Sequence, residues 1–436
     1  MYDVAPGLPT LVSGQPSVVT SISSNLHHYC LLDDQGNVYC WGDNAYGEIG
    51  IGTTGGSVGT PSKITVDSLG NPFTNIVQTV AGGGAAGYAS AALKSDGTVW
   101  VWGATSGGNR GNGTWGGTTT RPVQVPFPAG TVIKKILFYM IGMALDANGN
   151  VWTWGGNSGW SVPFMLGQGT ATPDVTTPHI ISLPSAAKDI VGGSLTNYAL
   201  LANGQLWGWG YYGSYLGLGA TASTGLSPVL MNSVLGFSQA ITSIGVNNES
   251  AYVILADSTL WSWGDNVCGS IGNGLEPNYA TYVNSSGVAS PYAWDWGANE
   301  DIVPKPVQIA QGLHSFTNIW TTVSDVFYCY AEDVNGQLYS WGRNKYGVLG
   351  NGVMSASGDI GAIYPNSWDV PYITAINPFS LTKISSTSSP YCILNPSGSP
   401  CNEYAIPSVA APTANAGPNQ NVTTSTTTLN GSASTA

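Results

Sequence analysis

The chain has 436 residues, with 59 Gly, 26 Pro, 16 Trp and 22 Tyr but only 8% charged side chains; this supply of turn formers and aromatics suits short strands and excludes an assembly of surface helices, whose wet faces need Lys, Glu and Arg. A formal net charge of −12 leaves no electrostatic footprint for a nucleic-acid backbone or an anionic membrane. The longest apolar stretch, Val132 to Met140, is too short and too broken by Lys134 and Lys135 to cross a bilayer.

From the first residue onward, Met1 runs directly into a polar, Pro-rich stretch (Asp3, Pro6, Pro9) with no apolar run of signal-peptide length. The expectation is a chain whose export signal has been removed, or a fragment. The first hairpin reads Tyr29-Cys30-Leu31-Leu32, a turn at Asp34-Gln35-Gly36, then Cys40. The same setting returns near the end as Tyr391-Cys392-Ile393-Leu394, a turn at Pro396-Ser397-Gly398, then Cys401. Each pair can face across its hairpin, which predicts the disulfides Cys30–Cys40 and Cys392–Cys401 and an oxidising, extracellular or cell-surface location. Buried free thiols are the alternative. Cys268 and Cys329, in successive repeats, form a weaker candidate for a third bridge.

Between these hairpins one pattern recurs, an aromatic two residues before a Trp-Gly pair. Its copies are Tyr39-Cys40-Trp41-Gly42, Trp100-Val101-Trp102-Gly103, Trp152-Thr153-Trp154-Gly155, Trp207-Gly208-Trp209-Gly210, Trp261-Ser262-Trp263-Gly264 and Tyr339-Ser340-Trp341-Gly342. A turn precedes each, usually with Gly five residues before the motif Trp (Gly36, Gly97, Gly149, Gly204, Gly336). In the fourth copy, Asn203-Gly204 is expected to supply the positive φ angles of a tight hairpin. Downstream come glycine clusters such as Gly47-Glu48-Ile49-Gly50, Gly269-Ser270-Ile271-Gly272 and Gly347-Val348-Leu349-Gly350. Pro-led strands then follow, such as Pro61-Ser62-Lys63-Ile64, Pro122-Val123-Gln124-Val125 and Pro306-Val307-Gln308-Ile309. A unit of four short strands cannot bury both its faces alone, so copies must stack, and a radial stack is a β-propeller.

Taken together, hairpin, Trp-Gly, Asn, Gly-x-Leu-Gly and Pro-led strand resemble the regulator of chromosome condensation repeats, over roughly Val18 to Asn402. The segments Trp41 to Gly50 and Trp341 to Gly350 are close to that family's pattern. The resemblance implies an all-β, seven-bladed β-propeller over residues 1–407. The seventh copy would be a degenerate hairpin near Cys392, and the ring would be closed by strands from both termini, with Pro9-Thr10-Leu11-Val12 supplying one. Two insertions depart from the pattern, Leu275 to Val303 and Met354 to Pro371. The tail, 408–436, turns to Ala, Thr, Asn and Ser and resembles the truncated start of a polycystic kidney disease-type immunoglobulin-like domain. The chain is therefore expected to be part of a longer multidomain protein.

The motif tryptophans are read as core. Aromatics outside the motif are the candidate ligand-binding residues: Trp115, Trp160, Tyr211, Tyr212, Trp294, Trp296, Tyr346 and Trp368, with Tyr46 and Tyr215 as further post-motif tyrosines. On loops they offer flat, rigid surface for a sugar ring or a protein partner, or they cover loop cores. The four His show no zinc spacing and no calcium loop appears, so no metal and no cofactor are expected. Asp295, Glu300 and Asp301 beside Trp294 and Trp296 are material for a glycosidase pair or for an ordinary solvated loop. The expected function is an extracellular, non-catalytic recognition module for a glycan or protein, binding through loop aromatics on one rim. The alternatives are a structural repeat domain of a bacterial surface adhesin or filament and a carbohydrate-active enzyme. The exchange-factor role for which the family is named is not carried over, because fold does not imply function.

Overall fold

The computed structural model describes residues 18–375 except 26, 83–87, 106, 157–164, 170–174, 211–214, 219–224, 248, 267–268, 274–301, 310–314, 322–327, 343–348 and 350–369. The seventh copy with Cys392 and Cys401, the N-terminal strand at Pro9 to Val12, Cys268 and the tail 408–436 lie outside the described residues. What is described is all-β, with six four-stranded antiparallel meanders spanning 19–63, 76–124, 133–180, 187–230, 241–309 and 316–375, here sheets one to six, and a short helix at Met231–Leu235.

Each sheet is built from the hairpin that the repeat encodes. In sheet four, Thr196–Leu201 and Leu206–Gly210 are joined by a turn in which Gly204 N–H donates to Leu201 O and Leu201 N–H to Gln205 O. Only Gly204 takes a positive φ, at 82°. Asn203 stays at negative φ and uses its side chain instead, accepting the Gln205 N–H at 3.0 Å. The expectation of positive φ at both turn residues is thus corrected: an Asx-type bond replaces the second left-handed residue. In sheet five, Ser258 occupies the glycine's place at φ 67°.

The Trp-Gly pair marks an irregularity in the third-to-fourth strand pairing, where register shifts between the residues flanking Trp41, Trp102, Trp154, Trp209, Trp263 and Trp341. Gly103 shows why glycine follows. Its φ is 94°, and a Cβ there would stand 2.3 Å from Tyr88 O, which no L side chain tolerates.

Successive sheets pack with their first strands side by side and pointing the same way. Ala81 N–H donates to Ser23 Oγ, the Gln78 amide brackets Ile136 at 2.8 and 2.9 Å, Lys135 pairs with Asp189, and Val246 N–H reaches Thr321 Oγ1 at 3.1 Å. Apolar cores fill the spaces between neighbouring sheets. One joins Cys30, Val38, Cys40 and Ile64 to Phe73, Ile76 and Trp102, and another joins Tyr252 and Ile254 to Phe316 and Trp341. The disulfide Cys30–Cys40 forms as the spacing predicts, between residues directly opposite on paired strands. Cys329 is a buried thiol with Sγ near Trp320 O and Tyr330 O.

In sheets two to six the motif Trp also fastens its sheet to the one before it. Its indole N–H donates to the carbonyl of the second residue in the preceding glycine cluster: Trp102 to Glu48 O at 2.7 Å, Trp154 to Asn109 O at 3.0 Å, Trp209 to Met165 O at 2.9 Å and Trp341 to Ser270 O at 2.7 Å. At sheet five the contact passes through a hydroxyl, Trp263 to Tyr198 Oη and Tyr198 Oη to Tyr215 O. The last glycine of the cluster makes the room. A Cβ on Gly272 would stand 2.7 Å from the Trp341 indole.

Candidate functional site

In a four-stranded meander the first-to-second and third-to-fourth connections leave from the same end. Because the first strands run in one direction, these connections share one end of the array in all six sheets. Every non-motif candidate named from the sequence belongs to a third-to-fourth connection. Trp115 is described and stands 56% exposed. Trp160, Tyr211, Tyr212, Trp294, Trp296, Tyr346 and Trp368 lie outside the described residues, as do Asp295, Glu300 and Asp301; the strands that bracket them open at this end. Trp320 lies in the strand Phe316–Thr321, half-buried. Tyr215 is corrected: it is only 2% exposed, packed under its loop while its carbonyl receives Tyr198 Oη. Of the first aromatics read as core, Trp100 and Trp152 are buried, whereas Trp207 and Trp261 are half-buried.

Of the two post-motif tyrosines among the described residues, Tyr46 stands outside, at 45% exposure. Its ring lies on Tyr88, centroids 5.1 Å apart and planes 10° from parallel, and His27 meets the other tyrosine edge-on at 4.7 Å. Three loops build this group. Tyr46 follows the Trp41-Gly42 bulge, His27 precedes the strand His28–Asp33, and Tyr88 precedes the strand Ala89–Lys94 of the next sheet. Sequence reasoning missed Tyr88 and His27, which carry no motif signal of their own.

The loops are held from below. Asn25 Oδ1 accepts the N–H groups of His27 and His28, and Asn25 Nδ2 donates to Gly82 O of the next sheet. Asn44 Oδ1 accepts Ile49 N–H, while Asp43 Oδ1 and Glu48 Oε2 accept the N–H groups of Ala45 and Tyr46. Glu48 is buried, and its carboxyl is raised by burial, opposed by the hydrogen bonds from its own and the Tyr46 N–H, and raised further by Asp43. Beneath it, His28 Nε2 lies 2.7 Å from Ser90 Oγ, and Ser90 Oγ also meets Glu48 O at 3.1 Å. Burial and the neighbouring His27 push His28 down to about 3. Among the described residues no group bonds Nδ1 to orient the imidazole, and both side chains are fully buried; the pair cross-links sheets one and two. Among the described residues no three His, Cys, Asp or Glu side chains are grouped to hold a metal, and no helix is long and apolar enough to cross a membrane.

Models of the regulator of chromosome condensation (RCC1) repeat match residues 19–48, and 35–86 with 335–362. Over these segments the chain is similar to the RCC1 repeat. Among curated relatives, the human E3 ubiquitin-protein ligase HERC2 is 27% identical in a 355-residue alignment that covers 73% of this chain and 7% of the ligase. The Arabidopsis thaliana ultraviolet-B receptor UVR8 is 26% identical over 62% of this chain and 59% of its own length. The chain thus spans less than two thirds of these relatives. Yeast RCC1 (Prp20) in its complex with Kap60 superposes with a TM-score of 0.58 at 23% identity, covering 83% of this chain and 75% of that one. Human WBSCR16 gives 0.53 at 18%, covering 70% of each. These likenesses establish an RCC1-like β-propeller architecture. They bear on the fold alone.

Proposed function

We propose that the protein is a non-catalytic recognition module that binds a glycan on the end of the propeller where the first-to-second and third-to-fourth connections open. The carrying observation is the solvent-facing stack of Tyr46 on Tyr88 with His27, bridging two sheets on loops fixed by Asn25, Asn44 and Glu48. A flat aromatic face held in place stacks on the C–H face of a sugar at little entropic cost. The short polar side chains around these loops, such as Asp43, Asn112 and Thr114, match hydroxyl groups. Trp115, on the same end, extends the surface.

A seven-bladed ring, closed by the terminal strands around the six described sheets, is part of this reading, as is an oxidising, extracellular setting, which the Cys30–Cys40 bridge supports. The test is a glycan array probed with the purified chain and with Tyr46→Ala and Tyr88→Ala. Saturable hits lost in both variants are expected. An array without hits contradicts the glycan assignment and turns the same surface over to a protein partner.

A further inference from the structure

Five of the six glycine clusters place an apolar residue third: Ile49, Leu166, Leu216, Ile271 and Leu349, each 0–1% exposed. Sheet two departs from them. Its cluster reads Gly108-Asn109-Arg110-Gly111, and Arg110 is buried to the same depth of the fold, at 6% exposure. Among the described residues no carboxylate faces it and its Nε has no hydrogen-bond partner, and burial lowers the guanidinium from its ordinary value. A Leu here would avoid desolvating a charge. Something other than packing accounts for the arginine.

Its remaining donors show what it holds. Nη1 donates to Thr114 Oγ1 at 3.2 Å and Nη2 donates to Gly117 O. These acceptors flank Trp115 in the chain. Thr114 is fixed in turn by Asn112 Oδ1, which accepts its N–H at 3.2 Å and its hydroxyl at 2.6 Å. Trp115 O accepts Gly108 N–H at 2.7 Å, and Gly113 N–H is tied to Thr176 O of the next sheet at 2.8 Å. The loop is clamped on both sides of a tryptophan whose indole remains more than half exposed.

We infer that Arg110 is a positioning residue that spans the base of this loop and presents Trp115 in one fixed orientation as a preformed ligand contact. The inference rests on the recognition reading above for the use of Trp115, but not for the clamp itself. Preorganisation is where a buried, unpaired charge returns its cost, because a rigid indole loses less freedom on binding.

The test labels the whole chain with 5-fluorotryptophan, identifies the Trp115 19F resonance with Trp115→Phe, and compares the parent with Arg110→Leu and Thr114→Val. Arg110→Leu restores the residue type of the other repeats, and Thr114→Val removes one clamp acceptor from an exposed position. The expected result is a displaced or exchange-broadened Trp115 line in both variants, with the other indole lines unmoved. Gly108 amide exchange should rise tenfold or more. An unmoved Trp115 line and unchanged Gly108 exchange in both would overturn the inference. Trp115→Ala on the glycan array decides the recognition reading separately: a loosened loop with an unaltered array profile keeps the clamp and removes Trp115 from the ligand surface.

Discussion

Replacing the motif Trp by Phe in different sheets should give unequal losses, and the inequality follows from what each indole leaves behind. Trp154→Phe removes about 40 Å³ of ring from a side chain 1% exposed, which at ~24 cal/mol per Å³ costs about 1 kcal/mol. It also strips Asn109 O of the indole donor that reaches it at 3.0 Å, with no other hydrogen bond to that carbonyl among the described residues; an orphaned acceptor in a partly buried setting adds about 1–2 kcal/mol. In Trp341→Phe the ring volume lost is the same, but Ser270 O keeps the Tyr252 hydroxyl at 2.6 Å. Trp102→Phe is similar, since Glu48 O keeps Ser90 Oγ. Those two should cost about 1–2 kcal/mol and Trp154→Phe about 2–3. Equilibrium urea unfolding followed by far-ultraviolet circular dichroism measures all three. If Trp154→Phe proves no more destabilising than the others, the carbonyl contact is not what fastens sheet two to sheet three.

Further outcomes follow from the same structure. Cys30→Ala with Cys40→Ala, or reduction, opens a loop of sequence separation 10 and should cost about 2.5–3 kcal/mol in the chain-entropy treatment, read as a lower urea midpoint of the parent in reductant. His28, held near 3 against an ordinary 6.5, binds a proton more readily unfolded than folded. Its contribution is complete above pH 6.5 and declines as the pH falls toward 3, so His28→Phe should flatten stability between pH 6.5 and 4. In Asp146, burial raises the carboxyl but hydrogen bonds from the Asn150 and Trp152 side chains and the Asn150 and Asn148 N–H groups outweigh it, leaving a net lowering. That stabilisation is present above the unfolded carboxylate value and is lost as pH falls through the folded one; Asp146→Asn should lower stability at pH 7 and narrow its gap to the parent at pH 3. Gly272→Ala drives a Cβ into the Trp341 indole at a φ of 73° and should lower the urea midpoint by more than any of the Trp→Phe changes.

Much of the fold is legible in the residues because the repeat is local. Turn glycines and the Trp-Gly bulge each encode one element within a dozen residues, and Cys30 and Cys40 face each other because one hairpin sets their register; the prolines expected to lead the fourth strands instead stand inside them, Pro61 in Ser57–Lys63, Pro122 in Gly117–Gln124 and Pro306 in Ile302–Ile309. The fastening of sheets is not legible in that way. Trp102 finds Glu48 O across 54 residues, and no pattern around either residue names the other. The candidate site divides similarly. Tyr46 and Trp115 follow from their loops, but His27 and Tyr88 join Tyr46 only because neighbouring sheets bring first-to-second and third-to-fourth connections together. Tyr215 stands six residues after Trp209 where Tyr46 stands five after Trp41; it takes the place of Glu48 in its glycine cluster, so its carbonyl receives the Tyr198 hydroxyl and its ring is buried. Arg110 did leave a trace, the one charged residue in the apolar place of a Gly-x-Leu-Gly cluster, which becomes informative once the other five are seen to be buried.

The central claim is that ligand meets the end carrying Tyr46, Tyr88 and His27. Its most direct measurement is calorimetric titration of the strongest array glycan into the parent, Tyr46→Ala and Leu69→Ala. Leu69, 82% exposed, is the control, lying between the fourth strand of sheet one and the first of sheet two, at the opposite end. Binding should be weakened tenfold or more by Tyr46→Ala and unchanged by Leu69→Ala. Equal affinity in the parent and Tyr46→Ala, or loss in Leu69→Ala alone, would contradict the claim.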